Sequence, residues 1–260
     1  VLHDPTDGRW HMFAAEMAND CGIDAWVPNS RVVHAVSDSA EGPYEKVGTV
    51  IEPFAHEPNA ARAPSGEWVV YATVLRNPGP LANCSGGQRP TTSAPPTRRD
   101  TYMVHAPSPN GPWSEPQLVL AANASTWEGR SVVIDTNLAM TILADGSAVG
   151  LWRRCDNTPG TVCEAACCTY IHSLRASDWR DPRTYVPDAA PAFDGIAPFG
   201  VEDPMLWQAA RPGGGAPIVH AILHDEQGDD RCTAIGRHAV SDDAGATWKY
   251  ARSNAYNGSV

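Results

Sequence analysis

Three carboxylates recur in this chain where a polar residue precedes an apolar, strand-like run. Asp4 stands in Leu2-His3-Asp4-Pro5 and Asp135 in Ile134-Asp135-Thr136-Asn137. Glu202 stands in Gly200-Val201-Glu202-Asp203-Pro204-Met205-Leu206-Trp207. Proline is tolerated at the start of a strand but not inside one, so Glu202 and Asp203 are expected at a strand mouth, where side chains can face a cavity. A fourth head of the same form is His56-Glu57-Pro58-Asn59. Three carboxylates gathered in one pocket suit hydrolysis of a glycosidic bond. One activates water, a protonated one meets the leaving oxygen, and a third raises the acid's pKa by like-charge repulsion. Asp4, Asp135 and Glu202 are therefore the candidate catalytic residues. His56, Asn59, Arg62, Asn137, Asp203 and Trp207, near strand heads, are candidates for binding sugar. In a regular strand Glu202 and Asp203 would point to opposite faces, so either could be the acid. The structural alternative for Asp4 is that Asp-Pro serves as a turn residue.

The elements that must position these residues repeat. Each of four units has a polar head, an apolar strand, a strand containing histidine and an aromatic strand. The third-strand histidines are His34, His105, His172 and His238, at intervals of 71, 67 and 66 residues. Four copies of one four-stranded unit predict an all-β fold, a five-bladed β-propeller with four blades visible and the fifth begun or missing. Residues 1–260 are expected to form a single propeller domain, incomplete at one or both ends, with Ala255-Tyr256-Asn257-Gly258 opening a fifth unit. Asp7-Gly8, Ser65-Gly66 and Asp145-Gly146 mark strand junctions. The stretches from Arg76 to Arg99 and from Cys155 to Cys168 are inserted loops. Trp113, Trp179 and Trp248, at repeat positions, are expected in the core; Trp26, Trp127 and Trp207 are candidates for stacking on sugar. The four repeated histidines are expected to cap strands or bond backbone groups. His220 and His224 are spaced H-x-x-x-H, but on a strand they stand about 13 Å apart and cannot share one zinc.

Composition narrows the function classes. The formal charge of −11 argues against nucleic acid as the main partner. No apolar run approaches a membrane span. No signal peptide is visible, and the opening on Val1 reads as a processed or incomplete start. Seven cysteines without zinc-type spacing predict disulfides, at least one of them within Cys155–Cys168. With the sequons at Asn83, Asn123 and Asn257, as possible N-glycan sites, they predict a secreted or extracellular glycoprotein. No cofactor is required; a structural or axial divalent cation is left open. The expected partner is an oligo- or polysaccharide, with an extracellular protein assembly as a further partner class.

An Asp in the first unit, an Asp in the third and a Glu in the fourth resemble the five-bladed propeller glycosidases of families 43 and 32. The runs Phe13-Ala14-Ala15-Glu16-Met17 and Gly236-Arg237-His238-Ala239 are similar to an uncharacterised family-43-like group. The resemblance implies Asp4 as general base, Asp135 as pKa modulator and Glu202 as general acid, with inversion at the anomeric carbon. Two departures stand out. Asp203 follows Glu202 where the family has a small residue, and the second unit offers His56 and Glu57. The competing expectations are a propeller that binds glycan without cleaving it, and a purely structural subunit.

Overall fold

The computed structural model describes residues 1–75, 80–84, 99–122, 125–127, 130–132, 135–156, 168–193, 201–225, 233–250 and 256–259. The structure is all-β apart from short helical turns. Four antiparallel meanders match the four sequence units. The first sheet is β1 (Leu2–Asp4), β2 (Arg9–Met17), β3 (Ser30–Ser37) and β4 (Glu45–Ile51). The second is β5 (Ala55–Arg62), β6 (Trp68–Leu75), β7 (Arg99–Ala106) and β8 (Gln117–Leu120). A hairpin, β9 (Ser125–Trp127) and β10 (Arg130–Val132), precedes the third sheet. That sheet is β11 (Asp135–Ile142), β12 (Ala148–Asp156), β13 (Cys168–Ala176) and β14 (Tyr185–Pro191). The fourth is β15 (Val201–Ala209), β16 (Ile218–Asp225), β17 (Thr233–Ser241) and β18 (Lys249–Tyr250). The chain divides into two compact units, Val1–Ala122 and Asn123–Val260, each holding two of these sheets. No helix among the described residues is long and apolar enough to cross a membrane.

The expected turns form between first and second strands, where Gly8, Gly66 and Gly146 take φ of 73°, 91° and 85°. That region is strained for residues with a Cβ, which is why glycine follows the polar residue in each turn. Strand alternation then sorts the faces. In unit 1, Phe13, Val32 and Ile51 of the first sheet pack against Ala55, Trp68, Val70, Ala72 and Val104 of the second. In unit 2, Val149, Leu151 and Ile171 of the third sheet meet Leu206, Val219, Ala221 and Leu223 of the fourth. Trp179 and Trp248 are buried as expected, and Trp113 sits edge-on to Phe13 at 5.7 Å.

Two expectations are corrected by the pairing. Tyr256–Ser259 (β19) does not open a fifth sheet. It pairs with Thr233–Gly236 of β17, because β18 reaches only Ala239 and Val240 and leaves that edge to be satisfied. The repeated histidines do lie on third strands, but their partners differ. His172 bonds the Asp188 carbonyl at 3.1 Å, whereas His105 faces Glu67 and Gln117. His34 Nε2 lies 2.9 Å from His11 Nδ1, and His238 Nε2 lies 2.9 Å from His220 Nδ1. In each such pair one ring donates and the other accepts.

Cys21 and Cys84, 63 residues apart, form a disulfide that ties the β2–β3 loop to the segment after β6. Asn29, fully buried, reinforces it. Its amide nitrogen donates to the carbonyls of Ala18 and Ala82 at 2.8 Å, and its Oδ1 accepts from the Ala82 N–H at 2.9 Å. The staple expected within Cys155–Cys168 falls outside the described residues and side chains.

Two predictions follow from these contacts. Replacing Cys84 by Ser should lower unfolding free energy by about 4 kcal/mol from loop-closure entropy, measured by denaturant titration; an unchanged midpoint would show that the bridge contributes nothing. Burial, with the charges of His11 and Arg9 against that of Asp7, pushes the His34 imidazole down to about 4 from its usual 6.5. The unfolded state then takes up a proton first, so this stability is present above pH 6.5 and is lost as pH falls towards 4. The loss is roughly 3 kcal/mol at most. His34→Gln should flatten the stability–pH curve in that window, and an unaltered slope would locate the effect elsewhere.

Candidate functional site

The inner strands β5, β11 and β15 carry the same irregularity near their heads. The register slips between His56 and Asn59, between Thr136 and Ala139, and between Glu202 and Met205. In each, two residues oppose one on the partner strand, which is a β-bulge. Its first extra residue takes positive φ: Glu57 at 53°, Asn137 at 57° and Asp203 at 50°. Asn and Asp tolerate this region better than most side chains. Proline follows at positions 58 and 204.

The bulge decides how the two adjacent acids of β15 are used. Strict alternation would separate Glu202 and Asp203, and the expectation of opposite faces is corrected here. Both turn to one imidazole: His224 Nδ1 lies 4.0 Å from Glu202 Oε1 and 3.9 Å from Asp203 Oδ2. Arg153, reaching from β12, forms an ion pair with Glu202, and the Asn137 amide donates to Asp203 Oδ1. Thr136 donates in turn to Asn137. Glu202, Arg153 and His224 are about one-quarter exposed, and Asp203 is 60% exposed. The result is an open acidic notch within unit 2, at the head of β15. Ligand atoms of Glu202, Asp203 and His224 all lie within 4.8 Å of one another, so these three residues could together hold a cation. That spacing leaves no room for a water between the two carboxylates as an inverting pair would require.

The other expected site residues are distributed as follows. Asp135 heads β11 and pairs in register with Arg154; its side chain is outside the described set. Asp4 is not at a strand head. It ends β1 and pairs with Arg9 across the turn, the far end of its strand from the position Glu202 holds in β15. The turn reading prevails there because Asp4 Oδ1 accepts from the N–H and hydroxyl of Thr6, at 2.9 and 2.8 Å, and from Arg62 at 2.8 Å. Burial alone would raise this carboxyl; the Thr6 bonds and the Arg62 charge outweigh it and hold it at about 2. Arg62, likewise, ends β5 and spans from Asp4 to the Trp68 ring, so it does not lie at the strand head.

His56 does head β5. Its Nδ1 lies 2.6 Å from Ser30 Oγ, and its ring stacks on Trp26 at 4.9 Å, which Arg99 also covers at 4.5 Å. Trp26 is thus packed between neighbours in its loop. Asn59 follows the bulge, half-buried opposite Tyr71. Trp207 stacks on His220 and His238 at 5.1 and 5.8 Å, on the sheet face away from the third sheet. The side chain of Trp127 is outside the described set. His220 faces His238 and Trp207, whereas His224, on the same strand, belongs to the notch. Arg153 was missed, since a long side chain from a neighbouring strand leaves no local sequence signal. Glu57-Pro58 repeats the acid–proline step of Asp203-Pro204, at the bulge of β5.

Comparison with known proteins places the fold. No protein-family model matches the chain, and no curated protein matches it in sequence. Solved structures do match. A thermostable family-43 glycoside hydrolase superposes with a TM-score of 0.60 at 13% identity, over 96% of this chain and 73% of its own. The xylan β-1,4-xylosidase of Bacillus halodurans C-125 gives 0.59 at 12%, over 95% and 40%. Zg3597, a family 117 glycoside hydrolase of the marine bacterium Zobellia galactanivorans, gives 0.57 at 11%, over 96% and 66%. The chain therefore spans less than two thirds of the length of two of these three. At these identities the likeness concerns the fold alone, a β-propeller, all-β, here with three four-stranded sheets and a fourth that β19 joins as a fifth strand.

The Asp4–Arg62 contact carries its own prediction. Arg62→Ala should cost about 2–3 kcal/mol, because it removes a charged hydrogen bond to a buried carboxylate. The wild type should lose the corresponding stability as pH falls from 3.8 towards 2, the depressed carboxyl being protonated earlier in the unfolded chain. Acid titration of the two proteins by circular dichroism would contradict this if the curves were parallel throughout.

Proposed function

We propose that this propeller is a secreted glycoside hydrolase acting at the notch on β15. The observation that carries the reading is the convergence of Glu202 and Asp203 on His224 at the head of an inner strand. Hydrolysis of a glycosidic bond needs a carboxyl that delivers a proton to the leaving oxygen and a second that supports attack by water. Glu202 is the proton donor, and Arg153 turns from it to a substrate hydroxyl on binding. Asp135, heading the adjacent inner strand, tunes the donor. Asp203, steadied by Asn137 and well exposed, binds sugar hydroxyls. Inversion, the course that the family-43 resemblance implies, requires a water-activating carboxylate about 6.5–9.5 Å from Glu202, farther off than Asp203 stands. The Cys21–Cys84 bridge supports an oxidising, extracellular location.

A second reading is favoured by one observation. An acid ion-paired with Arg153 is poised as a charge rather than as a proton donor, which suits glycan binding without cleavage. One substitution separates the two. Glu202→Gln is nearly isosteric but has no acidic proton to give. On arabino-, xylo- and galacto-oligosaccharides the wild type should release reducing sugar, and Glu202→Gln should lower kcat by roughly 10²–10⁴ with binding retained. A wild type that binds these glycans without cleaving any would establish the second reading. Undiminished turnover by Glu202→Gln would remove Glu202 from the chemistry.

A further inference from the structure

The outer strand of the third sheet swells away from its neighbour. His172 pairs with Pro191 and Leu174 with Pro187, so Asp188, Ala189 and Ala190 all stand opposite Ser173. Proline at both ends gives no N–H to the ladder, which frees the segment to bow outward. The fourth sheet is short at its outer edge, where β18 pairs only Lys249 and Tyr250 with β17. Between the two edges, inside unit 2, lies an open groove of about 790 Å³. That is within the ~300–1,000 Å³ of small-ligand sites. Buried Ser173, Phe193 and Trp248 form its floor, while Ala189, Ala190 and Ala246 stand exposed along it, too short to fill it. Two polar groups of that floor, the Ser173 hydroxyl and the Trp248 indole N–H, have no partner among the described residues. Buried groups of this kind are rare in a folded chain unless water or a ligand meets them.

The groove is positive in a chain whose formal charge is −11. Arg175 and Lys249 line it, against Asp188 alone among the acids. Arg175 gives one nitrogen to Asp188 at 2.9 Å and is half exposed. Lys249 is exposed and has no ionic partner among the described residues. Asp243, before the same edge, is not part of the lining, and its oxygens are held by Ser241 and Thr247. The remaining wall is aromatic. Phe193 and Tyr250 stack at 4.5 Å with their planes 17° apart, and Tyr250 is half-buried.

We propose that this groove is an accessory binding site for an oligosaccharide that carries carboxylates, as uronic acids do. It rests on the reading that the chain acts on glycans, and it adds a second place, away from the notch, where one is held. The carboxylate pairs with Lys249 and with the remaining N–H groups of Arg175. A sugar face lies against Tyr250, whose ring joins an apolar body to a polar edge. Sugar hydroxyls meet Ser173, Thr247 and the Trp248 N–H. A simple anion would use the two cations and leave the aromatic wall and the floor unused.

Calorimetric titration of the whole chain with oligogalacturonate tests this, with tryptophan fluorescence as a second readout because Trp248 belongs to the floor. Binding should appear, weaken as salt is raised, and exceed that of a neutral galacto-oligosaccharide of equal length. Lys249→Ala, at an exposed position, should weaken it about tenfold with an unchanged circular dichroism spectrum. Ala190→Trp, which fills the groove, should weaken it as well. Arg183→Gln, which removes an exposed cation outside the groove, should bind like the wild type. Glu202→Gln should also bind like the wild type, which separates this site from the notch. If the wild type cleaves no glycan yet binds oligogalacturonate through Lys249, the groove stands and the reading of the notch falls. A wild type that does not bind oligogalacturonate overturns the proposal, as does undiminished binding by Lys249→Ala. Equal binding of the neutral oligosaccharide, or of oligoglutamate with the same dependence on Lys249, overturns the acidic saccharide as its ligand.

Discussion

One bulged residue near the head of β5, β11 and β15 is the constraint on which this molecule's chemistry depends. A strand of strict period two can bury one face and expose the other, but it cannot turn two consecutive side chains to one place. At Glu202–Met205 the extra residue lets β15 do both. Below the slip Leu206 joins the core against the third sheet; above it Glu202 and Asp203 share His224. The cost is a non-glycine residue at positive φ, of order 1–3 kcal/mol, which the surroundings must over-determine. They do so with side-chain bonds: Thr73 to Glu57 in β5, and Asn137 to Asp203 between β11 and β15.

The repeat was legible because it is written in short-range signals. Polar–glycine turns, alternating apolar runs and one histidine per third strand recur at near-constant spacing, and each depends on only a few neighbouring residues. The four sheets follow them closely. What those signals could not carry is which end of a strand a residue occupies when the strand is three residues long. Asp4 precedes proline just as Asp203 does. In β1 that step closes the turn to β2, with Thr6 and Arg62 gathered on the carboxylate; in β15 it makes a bulge. The two Asp-Pro steps are identical in sequence and are told apart only by register.

The histidines give the same lesson at the level of partners. A common strand position does not impose a common bond, because what faces the ring comes from elsewhere in the fold. His172 meets a carbonyl, His105 a glutamate and a glutamine, and His34 and His238 another imidazole. Arg153 and the Cys21–Cys84 pairing were illegible for the same reason. Both join residues far apart in the chain, with no local pattern to announce them.

Asn29 has a consequence for motion. Loop amides usually trade their hydrogens with solvent quickly, since nothing but water holds them. Ala82 lies outside any strand, yet its N–H and carbonyl are both engaged by one buried side chain that also reaches Ala18. This connection therefore opens only when the packing around Asn29 opens. Its amide exchange follows the cooperative opening of unit 1, not the breathing of a surface loop, and Ala82 becomes a reporter placed far from any ladder.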